Sequence, residues 1–429
     1  MAQEIANLNK EFLLSEMAEN LVGSEIIKLA NEVGAKIKNG ESVFNLTIGD
    51  FDPSIFPIPE ALKNEIIEAY RANQTNYPAS NGIVELRKAV SDFLLARGGV
   101  TYNENQILIA GGGRPLIYAA FQAIIDPGDS VVFPVPSWNN NHYCHLSGAL
   151  QVPIETVAED HFMLKAEALK PHIERANLIA LCSPLNPTGT TFSKEGLTDI
   201  CNVIVQENKR RAGVQKPVYL LFDQIYWQLT FGDTVHHNPV ELVPEMRDYT
   251  VFIDGMSKAF AATGVRIGWG FGPQKIIDKM KAIVGHIGAW SPKAEQVAAG
   301  NFLREDESVN SYLKEFKLRI EQRLDGFFKG FKELKSMGYQ VDAIDPQAAM
   351  YLTVKIDLKG QKTEDGTVLE NTSDVTRYLL DEAKIALVPF HAFGAEPKSP
   401  WYRLSIGTTS MNDIDRFFDN LKDALAKLS

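Results

Sequence analysis

Five short apolar runs constrain this chain more than any other feature. They are "QILIA" (106–110), "SVVFPV" (130–135), "NLIALC" (177–182), "VYLLF" (218–222) and "TVFI" (250–253). Each leads through a loop into a stretch with helical spacing. After the first run, Leu116, Ile117, Ala120, Phe121 and Ile124 fall on one stripe. Strands apolar on both sides, alternating with helices, predict an α/β fold: a mostly parallel sheet with helices on both faces. Upstream, residues 14–40 read as an amphipathic arm and helix, and "VFNLTIGD" (43–50) as a short strand. Beyond about residue 300 the texture changes. A long charged helical stretch (303–336) precedes "YLTVKI" (351–356), "IALVPF" (385–390), "WYRLSIG" (401–407) and a last amphipathic helix. That predicts a second, smaller α+β domain, as expected for a chain of 429 residues. The N-terminal arm can join it, since chain ends often lie close together.

Charge and cysteine content exclude several function classes. A net charge of −11 argues against a nucleic-acid surface and against anchoring to an anionic membrane. No apolar run approaches a membrane span. The start, "MAQEIANLNKEF", lacks the apolar core of a secretory signal. Cys144, Cys182 and Cys201 form no CxxC, and the eight histidines form no HExxH. These features predict a cytoplasmic protein with no metal site.

In an open parallel sheet, ligands bind beyond the carboxyl ends of the strands. Those ends carry Gly111, Gly112, Gly113 and Arg114 at a helix start, then Trp138, Asn186, Asp223, Tyr226, Ser257 and Lys258, with Arg266 following. Each has a bland alternative. The glycines are equally a tight turn, Asn186 in "NPTG" a turn former, Asp223 a helix cap and Trp138 a core aromatic. Lys258 and Arg266 are equally solvated surface charges. Successive strand ends all bearing such groups make joint coincidence a poor explanation.

Pyridoxal phosphate (PLP) chemistry uses this whole set. Its aldehyde needs a lysine amine, the role open to Lys258. Its ring nitrogen needs a carboxylate, Asp223, and its phenolate needs donors, Tyr226 and Asn186. Trp138 can cover the ring face. The phosphate needs a helix N-terminus and a guanidinium: the backbone N–H groups of Gly113 and Arg114, and Arg266.

"NPTG", "DQIY", "SKAFAATGVRIGW" and "YRLSIG" resemble the class I/II aminotransferases among the fold-type-I PLP enzymes, the aspartate-aminotransferase-like group. The resemblance starts at "GSEIIKLANEVGAKIKNGESVFNLTIGDFD" (23–52), includes "NYPASNGIVELRKAV" (76–90) and spans nearly the whole chain. It implies a large PLP-binding domain over 61–300, a small C-terminal domain over 301–429, and an N-terminal stretch 1–60 that is arm and part of the small domain. It also implies a homodimer with shared active sites, acting on an amino acid and a 2-oxo acid. Lys258 becomes the lysine that holds the cofactor and moves the proton, Asp223 the partner of the ring nitrogen, and Arg403 the clamp on the substrate α-carboxylate. Gly49 is placed near that carboxylate, with Trp138 and Asn186 beside the substrate. Tyr77 is expected at the partner subunit's phosphate.

The chain departs from the family pattern at three places. Gly255 stands where relatives often carry a phosphate-binding serine, a loss that Ser257 can offset. Arg114 follows the phosphate-binding glycines. Trp290, in "HIGAWSP", occupies a loop that often faces the substrate. Arg114 favours an acidic donor such as aspartate, and equally points to solvent; Trp290 favours an apolar one. Two other functions compete: a PLP-dependent β C–S lyase on the same scaffold, and a non-catalytic PLP-binding regulator. The second is disfavoured by the negative charge and the short stretch ahead of residue 43.

Overall fold

The computed structural model describes residues 14–23 and 25–429; residues 1–13 of the expected arm, and Ser24 within it, lie outside the described residues. A seven-stranded sheet forms the centre, in the order β2–β8–β7–β6–β5–β3–β4. Its strands are β2 (Ile107–Ala110), β3 (Ser130–Val135), β4 (Leu150–Glu155), β5 (Ala176–Cys182), β6 (Tyr219–Asp223), β7 (Thr250–Gly255) and β8 (Gly268–Phe271). All neighbours pair in parallel except β8, which runs antiparallel to both β2 and β7.

The double-sided burial expected from the apolar runs is explicit in the packing. In β2, Ile107 and Ile109 enter one core while Leu108 and Ala110 enter another. In β7, Phe252 goes to the first core, and Val251 and Ile253 to the second. A strand alternates its side chains between faces, so an unbroken apolar run feeds two helix layers at once.

Two of these strands were not anticipated from the sequence. β4 lies at the sheet edge, where Leu150 is exposed and polar residues alternate with apolar ones. β8, "GWGF", is short and half glycine, and its place comes from pairing across to β7 and β2.

A four-stranded antiparallel sheet, β12–β13–β10–β9, joins Val341–Ala343 (β9), Tyr351–Ile356 (β10), Val388–Pro389 (β12) and Trp401–Ser405 (β13). The helix Asp306–Ser336 lays Phe316, Ile320, Leu324, Phe327 and Phe331 into the core beneath it. Leu46, Phe51 and Phe56 from the N-terminal segment enter the same core. The chain ends also meet in a small parallel pair, β1 (Phe44–Asn45) with β11 (Ile385–Ala386).

Several expected elements are shorter or divided. The run 43–50 holds a strand of two residues only, and 385–390 holds two two-residue strands. The arm 14–40 contains two helices, Glu16–Glu19 and Glu25–Lys38. The helical stretch expected over 303–336 begins at Asp306, after a separate helix Lys293–Phe302. The shortened strands have a physical reason: Leu46 and Leu387 beside them enter the core from loop backbone, and a packed loop has no period.

Candidate active site

The carboxyl ends of the parallel strands open into a cleft of about 620 Å³. It brings together Gly49, Gly113, Arg114, Trp138, Asn186, Asp223, Tyr226, Ser257, Lys258, Arg266 and Arg403 from the residues singled out in the sequence. Gly112 and Tyr77 do not line it.

Lys258 stands on the single turn Met256–Ala259, directly after β7. Its Nζ donates to the Gly49 carbonyl. Burial pushes its ammonium down to about 8, with Asp50 opposing the shift and Arg403 and Arg114 adding to it. Asp223 closes β6. Its Oδ1 accepts the Ile225 N–H at 3.0 Å, and burial raises its carboxyl to about 6 despite that bond. The turn it caps is real, so Asp223 is both a cap and a cleft carboxylate.

Gly112 serves the cleft from behind. It takes φ +96°, and a Cβ there would meet Arg266 Nη2 at 2.2 Å. Only glycine lets the guanidinium pass. Arg266 donates through Nη1 to the Thr263 carbonyl and through Nη2 to the Gly111 carbonyl, both at 2.6 Å, so it braces the glycine turn at the start of the helix Gly113–Ile124. Its own left-handed backbone, φ +61°, is tied by Ser291 Oγ donating to its carbonyl at 2.9 Å. Gly255 is explained similarly: a Cβ there would lie 2.7 Å from the Ile267 carbonyl. The close approach of β8 thus excludes a serine at 255, while Ser257 remains in the cleft.

Arg403, on β13, is 1% exposed. It donates to the Thr47 carbonyl (2.5 Å) and to Asn186 Oδ1 (3.1 Å), and its Nε has no partner among the described residues. Tyr351 and Phe393 flank the guanidinium, with ring centres at 4.7 and 5.0 Å. Asn186, which lines the cleft, accepts from Arg403 through Oδ1, so its amide nitrogen is not used in that bond. The Tyr226 hydroxyl meets that of Tyr351 at 2.7 Å.

Arg114 is exposed at the cleft mouth, its guanidinium 5.5 Å from the centre of the Trp138 ring. It therefore neither turns away from the site nor pairs deep within it. Trp290 lines no part of the cleft within this chain; its ring packs edge-on against Tyr77, 5.2 Å between centres. Tyr77 itself is 82% exposed.

Sequence reasoning missed Asp50, Tyr351, Cys182, Asn140 and Ile26, which all line the cleft. Asp50, in "TIGD", stood next to a residue already singled out. Tyr351 opens the run "YLTVKI" and looked like an ordinary strand aromatic. Among the described residues no cluster of His, Cys, Asp and Glu has the makings of a metal site, and no helix is long and apolar enough to cross a membrane.

Residues 41–421 match the family described as aminotransferase class I and II. The chain belongs to that family. It is 30% identical over 374 residues to the probable aspartate/prephenate aminotransferase of Rickettsia conorii, covering 86% of this chain and 88% of that one. It is 28% identical over 433 residues to the bifunctional aspartate aminotransferase and glutamate/aspartate-prephenate aminotransferase of Petunia hybrida, covering 99% and 85%. Among solved structures, the aspartate aminotransferase of Rhizobium meliloti superimposes with a TM-score of 0.89 at 28% identity, covering 97% of this chain and all of that one. The protein is thus a transaminase of the fold-type-I class, whose members use PLP.

The cleft makes a direct prediction about acidity. Burial favours the neutral amine, so cofactor-free protein should label at Lys258 with a midpoint near pH 8, against about 10.4 for an ordinary lysine. Peptide mapping after amine-selective labelling across pH reads this out. A midpoint at Lys258 above about 10 would contradict the desolvation argument.

Proposed function

We propose that this cleft binds PLP and runs amino transfer from an acidic amino acid, aspartate or a close analogue, to a 2-oxo acid. The observation that carries the reading is the convergence of Lys258, Asp223 and Arg403 in one cleft. Bound PLP supplies an aldehyde to take the amino group and a ring to draw off the electrons released at the α-carbon.

The chain's residues then divide the work. Lys258 holds the cofactor and afterwards carries the proton removed from the substrate α-carbon, a task suited to an amine held near neutrality. Asp223, ionised above about 6, keeps the ring nitrogen protonated. Tyr226 and the Asn186 amide donate to the ring oxygen, and Trp138 covers the ring. The backbone N–H groups of Gly113 and Arg114, with Ser257 and Arg266, hold the phosphate. Gly112 leaves room for the Arg266 guanidinium. Arg403 takes the α-carboxylate with its remaining donors, close to Gly49, in the planar paired geometry that a lysine lacks.

The exposed Tyr77, packed on Trp290, supports a homodimer in which this loop reaches the partner's phosphate site. Sedimentation at twice the 47.6 kDa chain mass is expected; a fully active monomer would exclude shared sites.

The Arg114 guanidinium at the cleft mouth supports an acidic donor, as do the relatives named for aspartate. Trp290, the residue favouring an apolar donor, does not reach the cleft within the chain. In a panel of aspartate, glutamate, phenylalanine and leucine, Arg114→Ala should lose about 1.5–3 kcal/mol in kcat/KM on the acidic donors only, the worth of a hydrogen bond to a charged group. Equal losses across the panel would make Arg114 a cofactor residue.

The cofactor reading is tested on its own. Protein supplied with PLP should absorb in the visible range and bleach with borohydride, which fixes the cofactor on Lys258. Lys258→Ala should keep little transamination; turnover at the wild-type rate would sink the assignment.

A further inference from the structure

Tyr351 and Tyr226 face each other across the two sheets. Tyr351 begins β10 of the four-stranded sheet, and Tyr226 follows β6 of the central one. Both side chains are buried, and both line the cleft. Their rings meet edge-on, 5.6 Å between centres, and their hydroxyls lie 2.7 Å apart.

We propose that Tyr351 is a positioning residue for the reaction: its hydroxyl donates to Tyr226, which frees the Tyr226 proton for the cofactor's ring oxygen and strengthens that donation. This rests on the PLP reading given above.

The direction follows from what each group offers. A phenol has one proton and can both give and accept. In the pair alone either hydroxyl can be the donor. With the cofactor bound, Tyr226 would donate its hydrogen bond to the ring oxygen, since a phenolate oxygen can only accept. The Tyr226 oxygen then accepts from Tyr351, which has no other hydrogen-bond partner among the described residues. Bonds in such a chain polarise one another. Without the Tyr351 hydroxyl, the Tyr226 oxygen is left buried and unsatisfied.

The surroundings hold Tyr351 in this pose. A Cβ on Gly49 would lie 2.9 Å from the Tyr351 hydroxyl, so the loop after β1 closes over it without a side chain. The Arg403 guanidinium lies 4.7 Å from the centre of the Tyr351 ring and fixes its plane. The charged and titratable groups facing the pair are Arg403 from β13, Cys182 at the end of β5, Asp50 after β1, and Lys258, whose Nζ lies 5.8 Å from the centre of the Tyr226 ring. One residue therefore links the phenol at the ring oxygen to the arginine at the substrate carboxylate.

Tyr351→Phe keeps the ring against Arg403 and removes only the hydroxyl. The test uses purified protein loaded with PLP and follows its visible absorbance against pH. A donor to the ring oxygen stabilises negative charge there and loosens the proton shared with it. Weakening that donor should raise the titration midpoint by about half a unit, with a two- to tenfold fall in kcat and little change in KM, the worth of one hydrogen bond. In a Tyr226→Phe background, adding Tyr351→Phe should move the midpoint no further. An unchanged midpoint in the single variant, or the same shift in the Tyr226→Phe background, overturns the inference. So does a lowered melting temperature with the midpoint unmoved, which is what a purely structural hydroxyl would give. If wild-type protein develops no visible band with PLP, the cofactor reading fails, and this inference fails with it.

Discussion

Arg403 is the cation on which the arrangement of this molecule turns. A guanidinium 1% exposed is costly unless its protons are used. Here they are used by a carbonyl from the N-terminal segment, Thr47, and by a side chain from the loop after β5, Asn186, while β13 carries the arginine itself. Three distant parts of the chain thus converge on one side chain. Tyr351 and Phe393 close its flanks. Its Nε has no hydrogen-bond partner among the described residues.

Electrostatics in the cleft follow from the same enclosure. Burial acts on Lys258 and Asp223 in opposite directions because it penalises charge of either sign. The amine falls to about 8 and the carboxyl rises to about 6. Both therefore titrate near neutrality, where a proton can be moved at little cost. Asp50 moderates the lysine shift, and Arg403 adds to it, so neighbouring charges in the cleft tune the amine that burial has already shifted.

Much of the fold could be read before the structure. β3, β5, β6 and β7 announce themselves because a strand buried on both faces carries a nearly unbroken apolar run. Their loops then carried Trp138, Asn186, Asp223, Tyr226 and Lys258 to one edge, as the topology of a parallel sheet requires. β4 was illegible because an edge strand is half solvated, and β8 because "GWGF" has too few side chains to show a period. The absence of a serine at 255 looked like a defect in phosphate binding. It is a packing requirement of β8, visible only once Ile267 is seen against Gly255.

The sequence by itself determined five of the sheet's seven strands, the order of groups along its edge and the family's chemistry, because burial pattern and motif are local properties of the chain. Only the tertiary structure decided which of those groups meet. Tyr351 and Tyr226 are 125 positions apart, and Arg403 and Thr47 are 356 apart. No periodicity encodes such contacts. Tyr351 and Tyr226 meet because both enter one core built from distant segments, and the same folding sets Arg114 over Trp138 and Trp290 against Tyr77.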